Sequence, residues 1–198
     1  MSPAAPPPYT LVVSTSLDSG SRSALLASKA QGELERGGAT AYLLDLRELP
    51  LPLFDNGSAF DQAAFERVHE LVAQADSVVI AMPIYNWSVG SSAKNFIELT
   101  GATGEDGHRA AWFDKVVTFV CAGGLPHSYM AYTQIASSMM LDFKCIVNPY
   151  MVYATDRDLS PESEVSERLS ARLAKTIAVH AELRDLLAHR SYRSDWEI

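Results

Sequence analysis

The stretch Ser77-Val78-Val79-Ile80-Ala81-Met82 is a continuous apolar run of strand length. Such runs are typical of strands that are buried on both faces of a parallel sheet, whereas a half-buried strand alternates apolar and polar residues. The stretch Asp61–Ala75 precedes it, and Phe65, Val68 and Val72 fall on one face of the amphipathic helix that this stretch predicts. A buried strand directly after a helix indicates an α/β protein with a parallel sheet.

Apolar, strand-like runs alternate with helix-period stretches on both sides of this strand. The predicted strands are Thr10–Val13, Thr40–Leu46, Ser77–Met82, Val116–Cys121 and Lys144–Tyr153, the last with a bulge or an edge position at Pro149. The predicted helices are Arg22–Arg36, Asp61–Ala75, Ser91–Leu99, Ser128–Asp142 and Pro161–Ala188. Five successive βα units predict a doubly wound, five-stranded parallel sheet with helices on both faces.

Length and composition predict one domain without a nucleic-acid or membrane partner. The chain has 198 residues, of which 47% are hydrophobic, and its net charge of −8 disfavours nucleic acid and anionic membranes. We expect a disordered N-terminal tail over residues 1–9, one domain over 10–188 and a C-terminal extension over 189–198. The tail has no signal-peptide pattern, so we expect a cytoplasmic protein. Cys121 and Cys145 are widely separated, and we expect both to be buried thiols.

The loops after the first, third and fourth strands are the expected place for the chemistry, because doubly wound sheets bind ligands at the carboxyl ends of their strands. The first loop, Ser14–Ser23, combines several hydroxyls with Arg22 at the start of a helix. Backbone N–H groups, the helix dipole and an arginine there suit a phosphate, and an ordinary serine-rich turn is the alternative. The loop lacks the glycines of a dinucleotide fingerprint, and no Walker A pattern is present.

The loop after the third strand, Pro83–Gly90, carries Tyr85, Asn86 and Trp87. Two aromatic rings and an amide can lie against a planar heterocycle and hydrogen-bond its edge, while simple packing of the two rings is the alternative. The stretch Ser91–Lys94 has the S-x-x-K spacing of a serine acyl-enzyme, but this pattern arises easily in a single sequence.

Together these loops resemble the NAD(P)H-dependent FMN reductase family, a flavodoxin-like group that includes quinone, azo and chromate reductases. Thr15–Ser23 is similar to the family pattern G-S-x-R-x-x-S-x-[NS], and Asp45–Pro52 is similar to D-L-x-x-L-P-L-P. The pattern P-E-Y-N-x-S-x-P-G-x-L-K-N-x-I-D is matched at Pro83, Tyr85, Asn86, Ser88, Lys94, Asn95, Ile97 and Glu98. The resemblance covers roughly residues 10 to 150.

This resemblance implies the flavodoxin-like strand order 2-1-3-4-5, FMN as the cofactor, and NADPH or NADH as the co-substrate. The family's phosphate-binding positions correspond to Ser16, Ser21, Arg22 and Ser23. Its contacts to the ribityl chain and the isoalloxazine ring correspond to Pro83, Ile84, Tyr85, Asn86 and Trp87, and its backbone at the flavin edge corresponds to Ala122, Gly123 and Gly124. For the glycine pair, a plain turn is the alternative.

The sequence departs from the family pattern at several of these positions. Asp18 stands where the family has arginine, which places a like charge near the phosphate unless Asp18 points outward or Arg22 compensates. Ile84 replaces a glutamate, Gly90-Ser91 replaces Pro-Gly, and Leu125-Pro126-His127 replaces a second glycine pair. The last of these residues, His127, is either a surface histidine or a proton donor beside the ring.

The implied function is hydride transfer from NAD(P)H to FMN, followed by ping-pong transfer of the electrons to a small acceptor. A quinone, a free flavin, an azo compound or a metal oxyanion would fit, and the family implies a homodimer or a homotetramer. We expect no catalytic side chain and no metal, because the flavin carries the redox chemistry. A flavodoxin-like FMN electron carrier and a doubly wound protein that uses another nucleotide are the two alternatives.

Overall fold

The apolar run at residues 77–82 forms most of a long strand at the centre of the sheet. In the computed structural model, which describes residues 9–102, 109–160 and 164–194, β3 (Ser77–Tyr85) is buried except at its last residue. It pairs in parallel with β1 (Thr10–Ser14) on one side and with β5 (Val116–Ala122) on the other. β2 (Ala41–Asp45) lies outside β1 and is also parallel to it. Burial on both faces therefore coincides with a central position in a parallel sheet.

Among the residues that the structure describes, the sheet has seven strands rather than the five expected, and two local features account for the difference. β4 (Ser88–Val89) is the short second arm of a hairpin that begins at the end of β3. The predicted fifth strand is divided into β6 (Ile146–Val147) and β7 (Val152–Ala154), and both pair in parallel with β5. The division contains Pro149, which has no N–H to donate to a ladder. When β6 and β7 are taken as one interrupted strand, the order is the predicted 2-1-3-4-5.

Helices cover both faces of the sheet, as predicted. Alternate strand residues face opposite cores, so that Val79 belongs to the smaller core and its neighbour Ile80 to the larger one. The smaller core is closed by α1 (Arg22–Arg36) and α5 (Glu167–Leu187), and the larger one by α2 (Ala63–Gln74), α3 (Ser91–Gly101) and α4 (Thr133–Asp142).

Three helices begin later than predicted because other structure precedes them. The 3-10 helix Ser58–Asp61 comes before α2, which was expected to begin at Asp61. The 3-10 helix Pro126–Tyr132 comes before α4, which was expected to begin at Ser128. Before α5, Val165 still forms an antiparallel bridge with Leu159. The predicted first residue of this last helix, Pro161, lies outside the described residues.

Part of each predicted terminal segment lies beyond the described part of the chain. Residues 1–8 and 195–198 are outside it, while Tyr9 donates its N–H to a carboxylate oxygen of Asp76 at 2.8 Å. Near the other end, Ser194 donates its N–H to Asp114, also at 2.8 Å. None of the helices in the described ranges is long and apolar enough to cross a membrane.

A buried polar cluster joins α5 to the sheet near the amino ends of the strands. His180 is fully buried, with Nδ1 2.9 Å from the hydroxyl of Thr118 and Nε2 2.9 Å from that of Ser77. Burial, together with the nearby charge of Arg184, lowers the pKa of His180 to about 3. The imidazole is therefore neutral at pH 7, so that one ring nitrogen donates a hydrogen bond and the other accepts one.

Candidate functional site

The loops after β1, β3, β5 and β7 meet at the carboxyl edge of the sheet. The strand register sets Ser14 beside Ala81, Pro83 beside Ala122, and Ala122 beside Ala154. The three predicted site segments are therefore neighbours in space. The strand order reverses between β1 and β3, which is where doubly wound proteins bind their ligands.

The first loop presents the N-terminus of α1 at this edge. Thr15 and Ser16 are buried, and Thr15 bonds to the carbonyl oxygen of Ala81 through its N–H at 3.0 Å and its hydroxyl at 3.1 Å. Ser21 caps the helix, since its hydroxyl accepts a hydrogen bond from the N–H of Ala24 at 3.2 Å. The first turn of α1, all of which lies in the described part of the chain, has no acidic side chain. The positive end of the helix dipole can therefore act on an anion placed there.

Hydrogen bonds within the loop hold its polar side chains. Ser23 is buried, and its hydroxyl is 2.9 Å from that of Ser21. Asp18 is exposed, and its carboxylate accepts from the N–H of Gly20 at 3.0 Å. This carboxylate thus takes up one of the backbone N–H groups that a bound anion would otherwise use.

Arg22 is ion-paired with Asp156, which follows β7. The two side chains are 42% and 66% exposed, respectively. Asp156 is the first residue of a 3-10 helix, and Thr155 and Asp158 form a capping box at its start. The pair ties the start of α1 to a fourth segment at the carboxyl edge, so an anion at Arg22 would also meet a carboxylate.

The loop after β3 is a tight hairpin, a feature that the sequence analysis missed. Tyr85 pairs with Ser88 across a two-residue turn, in which Asn86 has φ of 49° and Trp87 has φ of 60°. Two positive φ values are typical of a type I′ turn, which fits the twist of hairpin strands. Asparagine tolerates this conformation, whereas a tryptophan in it is strained by about 1–3 kcal/mol. Tyr85, Asn86 and Trp87 are all exposed, so the turn presents two aromatic side chains to solvent.

The first half of the same loop is buried. Pro83 and Ile84 are buried, and the side chain of Ile84 belongs to the larger core. Only the backbone of Ile84 is therefore placed to contact a ligand at the edge. The carbonyl oxygen of Pro83 accepts from the N–H of Gly90 at 3.0 Å, which closes the hairpin against the start of α3.

The two glycines after β5 have different surroundings. A Cβ atom at Gly123 would lie 2.2 Å from the hydroxyl oxygen of Tyr153, whereas one at Gly124 would meet nothing nearer than a carboxylate oxygen of Asp156 at 4.0 Å. The Tyr153 hydroxyl donates to the carbonyl oxygen of Leu125 at 2.7 Å. The Tyr153 hydroxyl therefore leaves no room for a side chain at residue 123, whereas the space beside Gly124 is open.

Replacing Gly123 with alanine should destabilise the protein by about 1–3 kcal/mol, the usual cost of overpacking. The new methyl group would overlap the Tyr153 hydroxyl, which is fixed by its bond to Leu125. Gly124→Ala is the matched control and should change the free energy of unfolding by much less. Urea denaturation of both variants makes the comparison, and equal losses would contradict this account of Gly123.

An exposed apolar surface surrounds the hairpin turn. The rings of Trp87 and His127 are stacked at a tilt, with centroids 5.3 Å apart and an interplanar angle of 30°. The exposed large apolar side chains nearby on the same two segments are Tyr85, Leu125, Tyr129 and Met130. The imidazole of His127, the one histidine singled out from the sequence, thus faces an indole at the edge of the candidate site.

The S-x-x-K pattern has no catalytic geometry. The ammonium group of Lys94 is ion-paired with Glu98 one helical turn further along α3. The motif residue Asn95 has a structural task, since it accepts from the N–H of Phe54 at 2.8 Å and donates to the carbonyl oxygen of Pro52 at 2.9 Å. It fixes the proline-rich segment after β2.

Cys121 and Cys145 are buried and form no disulfide bond, as the sequence predicted.

Two residues of the site, Tyr153 and Asp156, were missed by sequence reasoning. Tyr153 lies in β7 and Asp156 in the 3-10 helix that follows it, whereas only the loops after strands one, three and four were considered. The available signal was the parallel order itself, because the carboxyl end of every parallel strand lies at the same edge.

Comparison with known proteins gives a match over most of the chain. The family model described as NADPH-dependent FMN reductase matches residues 8–158. An FMN-dependent NADH:quinone oxidoreductase from Shewanella denitrificans is 27% identical over 176 residues, which cover 78% of this chain and 89% of that protein. An NAD(P)H-dependent FAD/FMN reductase from Geobacillus thermodenitrificans is 27% identical over 157 residues, which cover 75% of this chain and 80% of that protein.

Solved structures share the fold. The flavoenzyme FerB from Paracoccus denitrificans, an NAD(P)H:(acceptor) oxidoreductase, has a TM-score of 0.73 at 16% identity, covering 90% of this chain and 98% of FerB. The apo form of an NADH:FMN oxidoreductase, EMOB, has a TM-score of 0.71 at 19% identity and covers 92% of both chains. At these identities the likeness shows a shared flavodoxin-like fold.

Proposed function

The chain belongs to the NADPH-dependent FMN reductase family, and on that premise we propose that it oxidises NADPH or NADH through bound FMN and reduces a small acceptor. It is an NAD(P)H-dependent flavoprotein oxidoreductase of the FMN-reductase and quinone-reductase type. The acceptors proposed are quinones, free flavin, azo compounds and metal oxyanions, and the two half-reactions alternate in a ping-pong sequence.

This proposal rests on one observation, which is that the loops after β1, β3 and β5 lie at the same edge of the sheet. The loop that leads to α1 follows β1, which pairs with β3, and β3 pairs in turn with β5. Asp156 also joins the two outer segments, since it is ion-paired with Arg22 of α1 and is the group nearest to a Cβ atom at Gly124. A phosphate and a flat ring within one ligand would need the start of α1 and the exposed turn after β3 near each other. The proposed FMN-binding residues are Ser16, Ser21, Arg22, Ser23, Pro83, Ile84, Tyr85, Asn86, Trp87, Ala122, Gly123 and Gly124.

The described residues fit FMN at each part of the molecule. The phosphate fits the positive end of α1 with Arg22, and the ring fits the exposed turn with Tyr85 and Trp87. The backbone at Gly124 is open to close approach, whereas the space at Gly123 is filled by Tyr153. In this proposal the contribution of Gly123 comes from its backbone.

When bound, FMN would supply the redox chemistry, which is hydride acceptance from NAD(P)H and electron transfer to a second substrate. The residues of the chain bind and orient the reactants. None of these residues needs to act as a nucleophile. In the S-x-x-K stretch, the ammonium group of Lys94 is ion-paired with Glu98.

The exposed apolar surface supports planar aromatic acceptors as the preferred class. Tyr85 and Trp87 are 53% and 62% exposed, and Leu125 and Tyr129 are exposed beside them. An apolar surface next to a polar site is typical of ligand-binding regions. Quinones and azo compounds present flat, weakly polar faces that such a surface can cover.

Anaerobic stopped-flow spectroscopy tests the proposed function. The purified protein should bind FMN in a 1:1 ratio and FAD only weakly, because the loop after β1 offers one phosphate site. NADH or NADPH should bleach the bound flavin without a partner protein, and a quinone should then restore its colour. Flavin that stays oxidised with both nicotinamides would favour the electron-carrier alternative, and a protein that binds no flavin would contradict the site.

Replacing Trp87 with glycine should lower kcat/KM for a planar quinone about three- to tenfold, because the loss of one aromatic contact is worth about 0.5–1.5 kcal/mol. Glycine suits the positive φ at this position, so the turn should persist and the strain should fall. The measurement is the rate of each half-reaction at saturating FMN.

Ferricyanide serves as the control acceptor, because a small inorganic ion gains little from stacking on an indole. Its rate should be unchanged in Trp87→Gly, while Trp87→Phe should retain most of the quinone activity. Unaltered quinone rates in the glycine variant would mean that Trp87 only packs on His127.

The oligomeric state and the location of the protein stay predictions. We propose a homodimer or a homotetramer in the cytoplasm.

A further inference from the structure

We propose that Asp156 sets the affinity of the site for FMN by competing with the FMN phosphate for Arg22. This inference rests on the proposed function, because it takes the loop after β1 as the phosphate site. The starting observation is the ion pair that joins Arg22 to Asp156 across two segments far apart in the chain. One guanidinium group is thus shared between a carboxylate of the protein and the anion it is proposed to bind.

Arg22 is the cation on which the phosphate would depend. The other arginine near the loop, Arg47, is held by Asp45 and donates to the carbonyl oxygens of Asp18 and Ser19 at 3.4 and 3.2 Å. Its guanidinium group is therefore occupied by the Asp45 carboxylate and by two backbone oxygens of the loop. The charge of Arg22 is consequently the part of the site that Asp156 can control.

Asp156 is held in place by its own segment. The side chain of Asp158 bonds to both the N–H and the hydroxyl of Thr155, at 3.0 and 2.8 Å, and is ion-paired with Arg168 on α5. These contacts anchor the 3-10 helix that begins at Asp156. The carboxylate is thus presented to Arg22 by a fixed turn.

A phosphate that approaches Arg22 must share or displace this carboxylate. Either outcome opposes binding, because a shared guanidinium group is only partly available to the phosphate, and displacement breaks the ion pair between Arg22 and Asp156. The phosphate carries between one and two negative charges at pH 7, so it competes directly with the carboxylate. Riboflavin lacks the phosphate and should not respond to Asp156. The competition therefore lowers the preference for FMN over riboflavin.

Replacing Asp156 with asparagine should tighten FMN binding about five- to tenfold and change riboflavin binding less than about twofold. Asparagine keeps the shape of the side chain, and the position is 66% exposed, so the fold should be unaffected. The dissociation constants are measured by quenching of flavin fluorescence with the apo-protein, and thermal unfolding verifies that each variant is folded.

Asp185→Asn is the matched control. It removes one negative charge from another exposed ion pair, formed with Arg184 in α5, towards the opposite end of the sheet. FMN affinity should be unchanged in this variant. An equal gain in both variants would overturn the proposal, because it would show that the net charge of the protein is responsible.

A double-mutant cycle tests the route through Arg22. In an Arg22→Ala background the gain from Asp156→Asn should fall to less than half, since no guanidinium group is left to release. A full gain in that background would overturn the competition and leave simple repulsion of the phosphate. If Asp156→Asn leaves the dissociation constant of FMN unchanged, the inference alone is refuted. If the protein binds neither FMN nor riboflavin, the proposed function is refuted as well.

Discussion

Replacing Arg22 with alanine is expected to weaken FMN binding about ten- to 150-fold, a loss of about 1.5–3 kcal/mol that corresponds to one charge-assisted hydrogen bond. The variant removes the cation at the positive end of α1 and leaves the Asp156 carboxylate without its partner. Both changes disfavour an anion at this position. Titration of the apo-protein with FMN measures the loss.

Riboflavin and Arg36→Ala are the controls for this expectation. Riboflavin affinity should hardly change in Arg22→Ala, because that ligand has no phosphate. Arg36 lies at the other end of α1 in an exposed ion pair with Glu33, so its removal costs the helix a similar surface contact. Equal losses for both flavins would mean that Arg22 supports the fold instead of the phosphate.

Acidification from pH 6.5 to 4 is expected to reduce the free energy of unfolding by about 3 kcal/mol through His180 alone. Burial lowers the pKa of His180 in the folded protein to about 3, while in the unfolded chain the pKa of the same imidazole is near its ordinary value of 6.5. Between these values the unfolded state binds a proton that the folded state does not. Stability is therefore fully present above pH 6.5 and falls as the pH drops towards 3.

The slope of stability against pH isolates this contribution. His180→Gln keeps a polar side chain that can bond to Ser77 and Thr118, and it cannot titrate. Urea denaturation at several pH values should give a slope shallower than that of the unaltered protein by about 1.4 kcal/mol per pH unit. The exposed His189 provides the control variant, His189→Gln, which removes an imidazole and leaves the buried cluster intact. Parallel slopes for all three proteins would contradict a neutral His180.

The elements that sequence predicted well have local causes. The first helix, Arg22–Arg36, was predicted with its observed bounds, because a polar cap precedes it and two glycines follow it. The central strand was recognised from apolar composition alone, since a strand that is buried on both faces must be apolar throughout. Pro149 indicated a bulge or an edge position in the last strand for an equally local reason, the missing N–H, and the strand is in fact divided there into β6 and β7.

The hairpin after β3 was missed although part of its signal is present. Asn86 is a typical residue for the first position of a type I′ turn, but Trp87 is unfavourable at the second. The pattern therefore predicted a loop. The pairing of Tyr85 with Ser88 and the proximity of His127 support a conformation that local preference opposes. Local preference is a weak predictor wherever tertiary contacts outweigh a strain of about 1–3 kcal/mol.

Periodicity, apolar runs and capping residues were enough to establish the alternation of strands and helices, and the spacing of two loop motifs was enough to indicate the family. Each of these signals lies within one segment of the chain. The pairing of Arg22 with Asp156 spans 134 residues, and the packing of Tyr153 against Gly123 joins β7 to the loop after β5. Such contacts depend on which strand ends meet at the carboxyl edge and on how their side chains fill the shared space, so packing of the whole sheet decides them.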